Sequence, residues 1–118
     1  MIHIYGLKNC DTTQKAIKWC KANGHTATFH CYKEEPPTLQ FITTCLAQVP
    51  LTKLLNTQST TYRSLSDQQK QQASSPQHAS ALLVQYPSLI KRPLIILPSG
   101  SISLGWREAD FAALVATN

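Results

Sequence analysis

Cys10 stands between Lys8-Asn9 and Asp11-Thr12-Thr13. A cysteine placed just ahead of a helix faces unpaired backbone N–H groups and the positive end of the helix dipole, and both favour a thiolate. Thr12 and Thr13 can add hydroxyl donors and Lys8 adds positive charge, while Asp11 works in the opposite direction. Such surroundings lower a thiol pKa from about 8.5 to as low as about 3.5–7.5. The competing reading is a small buried residue before a helix, since cysteine is often buried. The polar run Asn9 to Thr13 is a poor core segment, so Cys10 is the candidate nucleophile.

The other cysteines read differently. Cys20 shares a helical apolar stripe with Ala16 and Ile17, Cys31 alternates with Ala27 and Phe29, and Cys45 joins Leu39, Ile42 and Leu46. All three are expected to pack, with a resolving role for one of them as the weaker alternative. Thr13 occupies the position where a Cys-x-x-Cys partner would stand. No histidine lies at zinc-finger spacing from any cysteine, so a zinc site is not expected. Single-cysteine chemistry of this kind implies no bound metal or organic cofactor. In a reducing compartment the four are free thiols by default.

Arg63, Arg92 and Arg107 fall in expected loops or element ends. Each is a permanently charged fork suited to oxyanions, yet each taken singly reads as a solvated surface residue. Pro93 suits the first position of a strand. An X-Pro bond is cis in only about 5–6% of folded-protein cases, so Arg92-Pro93 read by itself is a trans turn. His3, His25, His30 and His78 share no motif spacing with a nucleophile. Trp19 and Trp106 read as packing residues, although Trp106 beside Arg107 could line a pocket.

Certain elements must position these groups. Ile2 to Tyr5 reads as a strand and Asp11 to Asn23 as a helix with Gly24 as its stop. Thr26 to Tyr32 reads as a second strand, parallel to the first through a right-handed crossover. Thr38 can cap a helix carrying Leu39, Ile42, Cys45 and Val49, which Pro50 interrupts. Leu51 to Leu55 is a short helical turn, and Thr57 to Ser66 reads as a polar loop. Ser66-Asp67-Gln68-Gln69 resembles a helix start, and Pro76 opens a further helix that Pro87 ends. Leu94 to Leu97 and Ile102 to Leu104 form a hairpin around Pro98-Ser99-Gly100-Ser101. A last helix runs from about Glu108 to Ala116. The order β-α-β, helical block, β-β-α predicts an α/β, thioredoxin-like fold. It consists of a four-stranded mixed sheet with flanking helices and an inserted helical subdomain at about 36–88, all within a single domain over 1–118.

A chain of 118 residues can bury about two-thirds of its unfolded surface, so it needs no disulfide or metal to fold. The formal charge of +5 favours anionic partners. Nucleic acid is not expected among them, because no aromatic-plus-basic RNA motif or DNA-reading motif is present. No apolar run reaches membrane-span length and the start lacks signal-peptide character, so the protein reads as cytoplasmic with no membrane partner.

The opening Ile4-Tyr5-Gly6-Leu7-Lys8-Asn9-Cys10-Asp11-Thr12 resembles the ArsC/Spx family, in its glutathione-linked Asn-Cys-Asp-Thr branch of arsenate reductase-like proteins. Thr61-Tyr62-Arg63, Tyr86-Pro87-Ser88-Leu89-Ile90-Lys91-Arg92-Pro93 and Gly105-Trp106-Arg107 match in family order over essentially the whole chain. The resemblance implies Cys10 as nucleophile and a cis Arg92-Pro93 bond beside it. It implies Arg63, Arg92 and Arg107 as the anion-holding arginines, with Asn9 and Thr12 lining the substrate site. Arsenate reductases of this family usually carry glycine after the nucleophile, whereas Asp11 here would repel arsenate. Spx-type regulators, which bind RNA polymerase, often switch through Cys-x-x-Cys, and Thr13 removes that switch. The expectation is a single-cysteine oxidoreductase acting on a small anionic or disulfide substrate, with glutathione as co-substrate and glutaredoxin as a possible partner. Arsenate reduction proper and an Spx-like regulator are the alternatives.

Overall fold

The computed structural model describes residues 1–117. The strands are β1 (Ile2–Gly6), β2 (Ala27–Cys31), β3 (Leu94–Ile96) and β4 (Ile102–Leu104). They form one sheet in the order β2-β1-β3-β4. β1 runs parallel to β2 with Ile4 opposite Phe29 and Gly6 opposite Cys31. β3 is antiparallel to β1, with Ile95 opposite Ile4, and β4 is antiparallel to β3.

The helices are α1 (Asp11–Ala22), α2 (Leu39–Leu46), α3 (Leu51–Leu54), α4 (Thr60–Arg63), α5 (Asp67–Gln72), α6 (Pro76–Gln85) and α7 (Glu108–Ala116). A 3-10 turn covers Pro87–Leu89. The mixed sheet with flanking helices, in this order, is the thioredoxin-like arrangement that the sequence predicts. Two compact units divide the chain: Met1–Glu35 with Arg92–Asn118, and Pro36–Lys91. None of the helices among the described residues is long and apolar enough to cross a membrane.

In the sheet-bearing unit, alternation along β1 sends Ile2 and Ile4 to one face, where they meet Ala16 and Cys20 of α1, Ile95, Leu97 and Phe111 of α7. Ile4, Ala16, Cys20 and Ile95 are fully buried. Burial of one such aliphatic side chain stabilises the fold by about 1.5–3 kcal/mol, which anchors β1 and α1 on either side of the Cys10 loop. Trp19, Trp106 and Leu114 pack around this core. α1 ends in a Schellman motif: His25 N–H donates to the Cys20 carbonyl at 2.9 Å and Gly24 N–H to Lys21 at 3.3 Å. Gly24 supplies the required left-handed conformation at φ +74°.

The Pro36–Lys91 unit is helical. Thr38 accepts from Phe41 N–H and caps α2. Ser66 and Gln69 form a capping box at the start of α5. Pro76 opens α6. Ile42, Cys45, Leu54, Leu83, Leu89 and Ile90 are its most deeply buried apolar residues. The expected polar loop over Thr57 to Ser66 contains a helix instead. Ser59 accepts from Tyr62 N–H and closes the single turn of α4, a local capping contact that leaves no apolar periodicity to read.

Candidate active site around Cys10

Everything that sets the site begins with the link between β1 and α1. Cys10 N–H donates to the Leu7 carbonyl at 3.2 Å, closing the turn that brings the chain from strand to helix. Cys10 is the N-cap residue of α1, in extended conformation, and its carbonyl accepts the first helical bond from Gln14 N–H at 3.0 Å. Its side chain makes no capping bond, so the first-turn N–H groups are not consumed by a cap. Cys10 is partly exposed, whereas Cys20, Cys31 and Cys45 are buried, and all four are free thiols.

The sulfur sits 3.3 Å from Thr12 Oγ1. Burial opposes ionisation of Cys10. The Thr12 hydroxyl, the Thr13 hydroxyl and N–H, and the Arg92 side chain outweigh it together, and the pKa falls to about 7. Half of such a thiol is ionised near neutrality, where an ordinary cysteine is a few per cent thiolate. For two of the buried cysteines burial is the cause of an opposite shift: it pushes Cys20 up and Cys45 up to about 11. One cysteine of four therefore combines access with a lowered pKa.

Thr12 Oγ1 also lies 3.5 Å from the Arg92 carbonyl. With one proton and two acceptors, it can turn to the carbonyl when Cys10 is a thiol and to the sulfur when Cys10 is a thiolate. Arg92 is half-buried, and the Arg92-Pro93 peptide bond is cis. Pro93 is buried and its carbonyl accepts from Gly105 N–H at 3.0 Å, which ties this loop to the end of β4.

Cys10, Thr12 and Arg92 thus come together. Asn9 is exposed in the turn ahead of Cys10. Arg107 is exposed as the N-cap of α7, followed by Glu108 and Asp110 in the first turn of that helix. Arg63 belongs to the Pro36–Lys91 unit, exposed at the end of α4. Asp11 is exposed and pairs with Lys15 at 3.4 Å. Lys8 pairs with Glu34. Trp106 does line a groove, a cleft of about 590 Å³ bounded by Lys15, Lys18, Trp19, Asn23 and Glu108, but Cys10 is not among its lining residues.

Two features escape a reading of the residues one by one. Gly6 is buried, and a Cβ there would stand 2.5 Å from Thr13 Oγ1 and 2.9 Å from its Cγ2. Only a glycine in β1 leaves room for Thr13 in the first turn of α1. The second is a chain on β1 and β2. His30 Nδ1 meets Glu35 Oε2 at 3.0 Å, and His30 Nε2 meets His3 Nδ1 at 2.9 Å. Tyr5 stacks on His30. Among the described residues no group of His, Cys, Asp and Glu has the geometry to hold a metal ion.

Comparison with known proteins follows the same lines. The model of the ArsC family matches residues 5–114. A protein of Haemophilus influenzae, described as uncharacterized, is 38% identical over 116 residues, spanning 98% of this chain and 100% of that one. The solved structure of the protein YFFB superposes with a TM-score of 0.89 at 31% identity, covering 98% of this chain and 99% of that one. An arsenate reductase (ArsC) related protein from Brucella melitensis superposes with a TM-score of 0.74 at 34% identity, covering 95% and 92%. With the family model spanning nearly its whole length, the chain belongs to the ArsC family.

Proposed function

We propose that this protein is a thiol oxidoreductase that works through a single nucleophilic cysteine, with glutathione as its co-substrate. The observation that carries the reading is the Cys10 sulfur: half-exposed at the N-terminus of α1, beside Thr12, Thr13 and Arg92, with a pKa lowered to about 7. A thiolate available at neutral pH is the nucleophile that thiol–disulfide exchange requires. The relatives described as arsenate reductase-related support the redox class.

In the proposed cycle the Cys10 thiolate attacks a sulfur of a disulfide. A Cys10–S–S–R bond forms as the old S–S bond breaks, and RS⁻ departs. A second thiol, glutathione or the thiol of glutaredoxin, then attacks the mixed disulfide and returns Cys10 as thiolate. Arg92 contributes positive charge at the sulfur. Arg63, Arg107 and Asn9 enter the proposal on the family resemblance, as groups that hold the anionic part of the substrate.

Incubation of the reduced protein with glutathione disulfide, followed by peptide mass mapping, tests the reading. One glutathione on Cys10 at pH 7, absent from Cys10→Ser, is the expected result. Equal or greater labelling of Cys20, Cys31 or Cys45 would overturn it. Arsenate is the second reading, favoured by the Arg92 charge at the nucleophile and opposed by the Asp11 carboxylate next to it. Arsenate turnover with glutathione and glutaredoxin, lost in Cys10→Ser, would establish that reading.

A further inference from the structure

Thr12 and Thr13 follow Cys10 in the first turn of α1 and both lower its pKa, but their hydroxyls are not equivalent. Thr12 is half-exposed and its proton is shared with the Arg92 carbonyl. Thr13 is fully buried, and its Oγ1 makes no full hydrogen bond to any described group. A buried hydroxyl without a partner loses its hydration with nothing in return, so its retention calls for an explanation. The interaction it does have is with Cys10. Gly6 fixes its place, since the space a Cβ would fill is taken by Thr13 Oγ1 and Cγ2. The hydroxyl is sealed by β1 on one side, does not turn back to a helix carbonyl, and has its proton free for the sulfur.

We propose that Thr13, held by Gly6, assists the departure of Cys10: its hydroxyl receives the sulfur as a thiolate when a mixed disulfide is resolved. The inference deepens the thiol-exchange reading and rests on it. The step balances as Cys10–S–S–R plus R′S⁻ giving Cys10–S⁻ plus R–S–S–R′, where R′SH is a low-molecular-weight thiol. The electron pair of the broken S–S bond ends on Cys10 Sγ, where Thr13 Oγ1–H donates to it. A partnerless donor in the reduced thiol form becomes a partnered one in the product of the step.

The two halves of the cycle respond differently to loss of this donor. If the Cys10 pKa rises by about one unit, the thiolate at pH 7 falls about fivefold while its intrinsic nucleophilicity rises about threefold, so attack slows only about twofold. Departure has no such compensation, because a higher leaving-group pKa slows it outright. Thr13 is therefore expected to matter more for release than for attack.

The test compares the wild type, Thr13→Val and Thr13→Ser. Val keeps the shape without the hydroxyl, and Ser keeps the hydroxyl without the methyl. The pH profile of Cys10 alkylation by iodoacetamide is read by site-assigned mass spectrometry. The Cys10–glutathione adduct is then isolated, and its release by a small thiol is followed at pH 7. Thr13→Val should move the alkylation midpoint upward, slow adduct formation by about twofold or less, and slow release several-fold. Thr13→Ser should restore release toward the wild-type rate. Release from Thr13→Val at the wild-type rate, or equal slowing in Val and Ser, overturns the proposal. Circular dichroism separates these results from misfolding, and if Val does not fold, Thr13→Ser against Thr13→Ala carries the same comparison. Should the wild type take up no glutathione on Cys10, the thiol-exchange reading fails, whereas an unmoved alkylation midpoint in Thr13→Val counts against Thr13 alone.

Discussion

Replacing Gly6 by alanine tests the packing that holds the site. The added Cβ would stand 2.5 Å from Thr13 Oγ1, 2.9 Å from Cγ2 and 3.3 Å from Cβ. Ordinary carbon contacts begin near about 3.5 Å, so one of the two elements must give way. Thr13 offers little freedom: it is short, β-branched, fully buried and fixed in the first turn of α1. Overpacking of this kind costs about 1–3 kcal/mol. Alanine in a strand recovers about 0.5–1 kcal/mol relative to glycine, so a net loss of up to about 2.5 kcal/mol is expected. Urea denaturation of the wild type, Gly6→Ala, Thr13→Ala and the double variant measures it. In the double variant the Oγ1 and Cγ2 clashes are gone and only the 3.3 Å approach remains. The alanine at position 6 should then cost much less than it does opposite threonine, and the two substitutions should couple by about 1 kcal/mol or more. The same Gly6→Ala protein should show a higher alkylation midpoint for Cys10, because displaced Thr13 no longer serves the sulfur. Additive stabilities, with an unmoved Cys10 midpoint, would refute the reasoning.

Other expectations follow from the same contacts. Native protein at pH 7.5 should show one fast thiol toward a brief iodoacetamide pulse, located at Cys10, and four in guanidinium, since burial raises Cys20 and Cys45. A lowered folded-state pKa makes the thiolate a stabilising species above the unfolded pKa and removes that contribution as pH falls through the folded value. The stability of wild type relative to Cys10→Ser should accordingly increase between about pH 7 and 9 and level off above, as read by urea midpoints across that range. Ser66→Ala removes one arm of the α5 capping box and should cost about 1 kcal/mol in the same assay. Lys8→Ala breaks an exposed, solvent-screened ion pair with Glu34 and should leave the urea midpoint nearly unchanged, with any small effect vanishing at high salt.

What the sequence displayed and what it hid divide along one physical line. Elements with sustained periodicity were legible. α1 and α6 keep a full apolar stripe, β1 alternates cleanly, and Thr38, Ser66, Pro76 and Gly24 punctuate helix ends through local chemistry. α4 was not legible, because four residues closed by one serine cap contain no period. The alternation in β2 was visible, yet only Cys31 is buried, since β2 is an edge strand and edges lack a neighbour on one side. In α7 the apolar residues were evident, but only Phe111 is fully buried, while Leu114 and Val115 pack half-exposed against the core.

The site shows the same division at closer range. Cys10 and Thr12 are two residues apart, so their partnership is a property of one helix turn and could be expected from the chain alone. Arg92 joins them from eighty residues away through the strand order β1-β3, which local rules do not determine. Gly6 is the most telling case. A glycine ending a strand ordinarily marks a turn that needs positive φ, but here its φ is not in that region, and the reason for glycine is the threonine above it. The absence of one carbon on β1 is what lets a hydroxyl sit fully buried beneath the helix N-terminus. Backbone dipole, outer hydroxyl and inner hydroxyl then all favour the thiolate of one sulfur. Of these three, the inner hydroxyl depends on a strand residue, so the reactivity of Cys10 is tied to the integrity of the sheet as well as to its own helix.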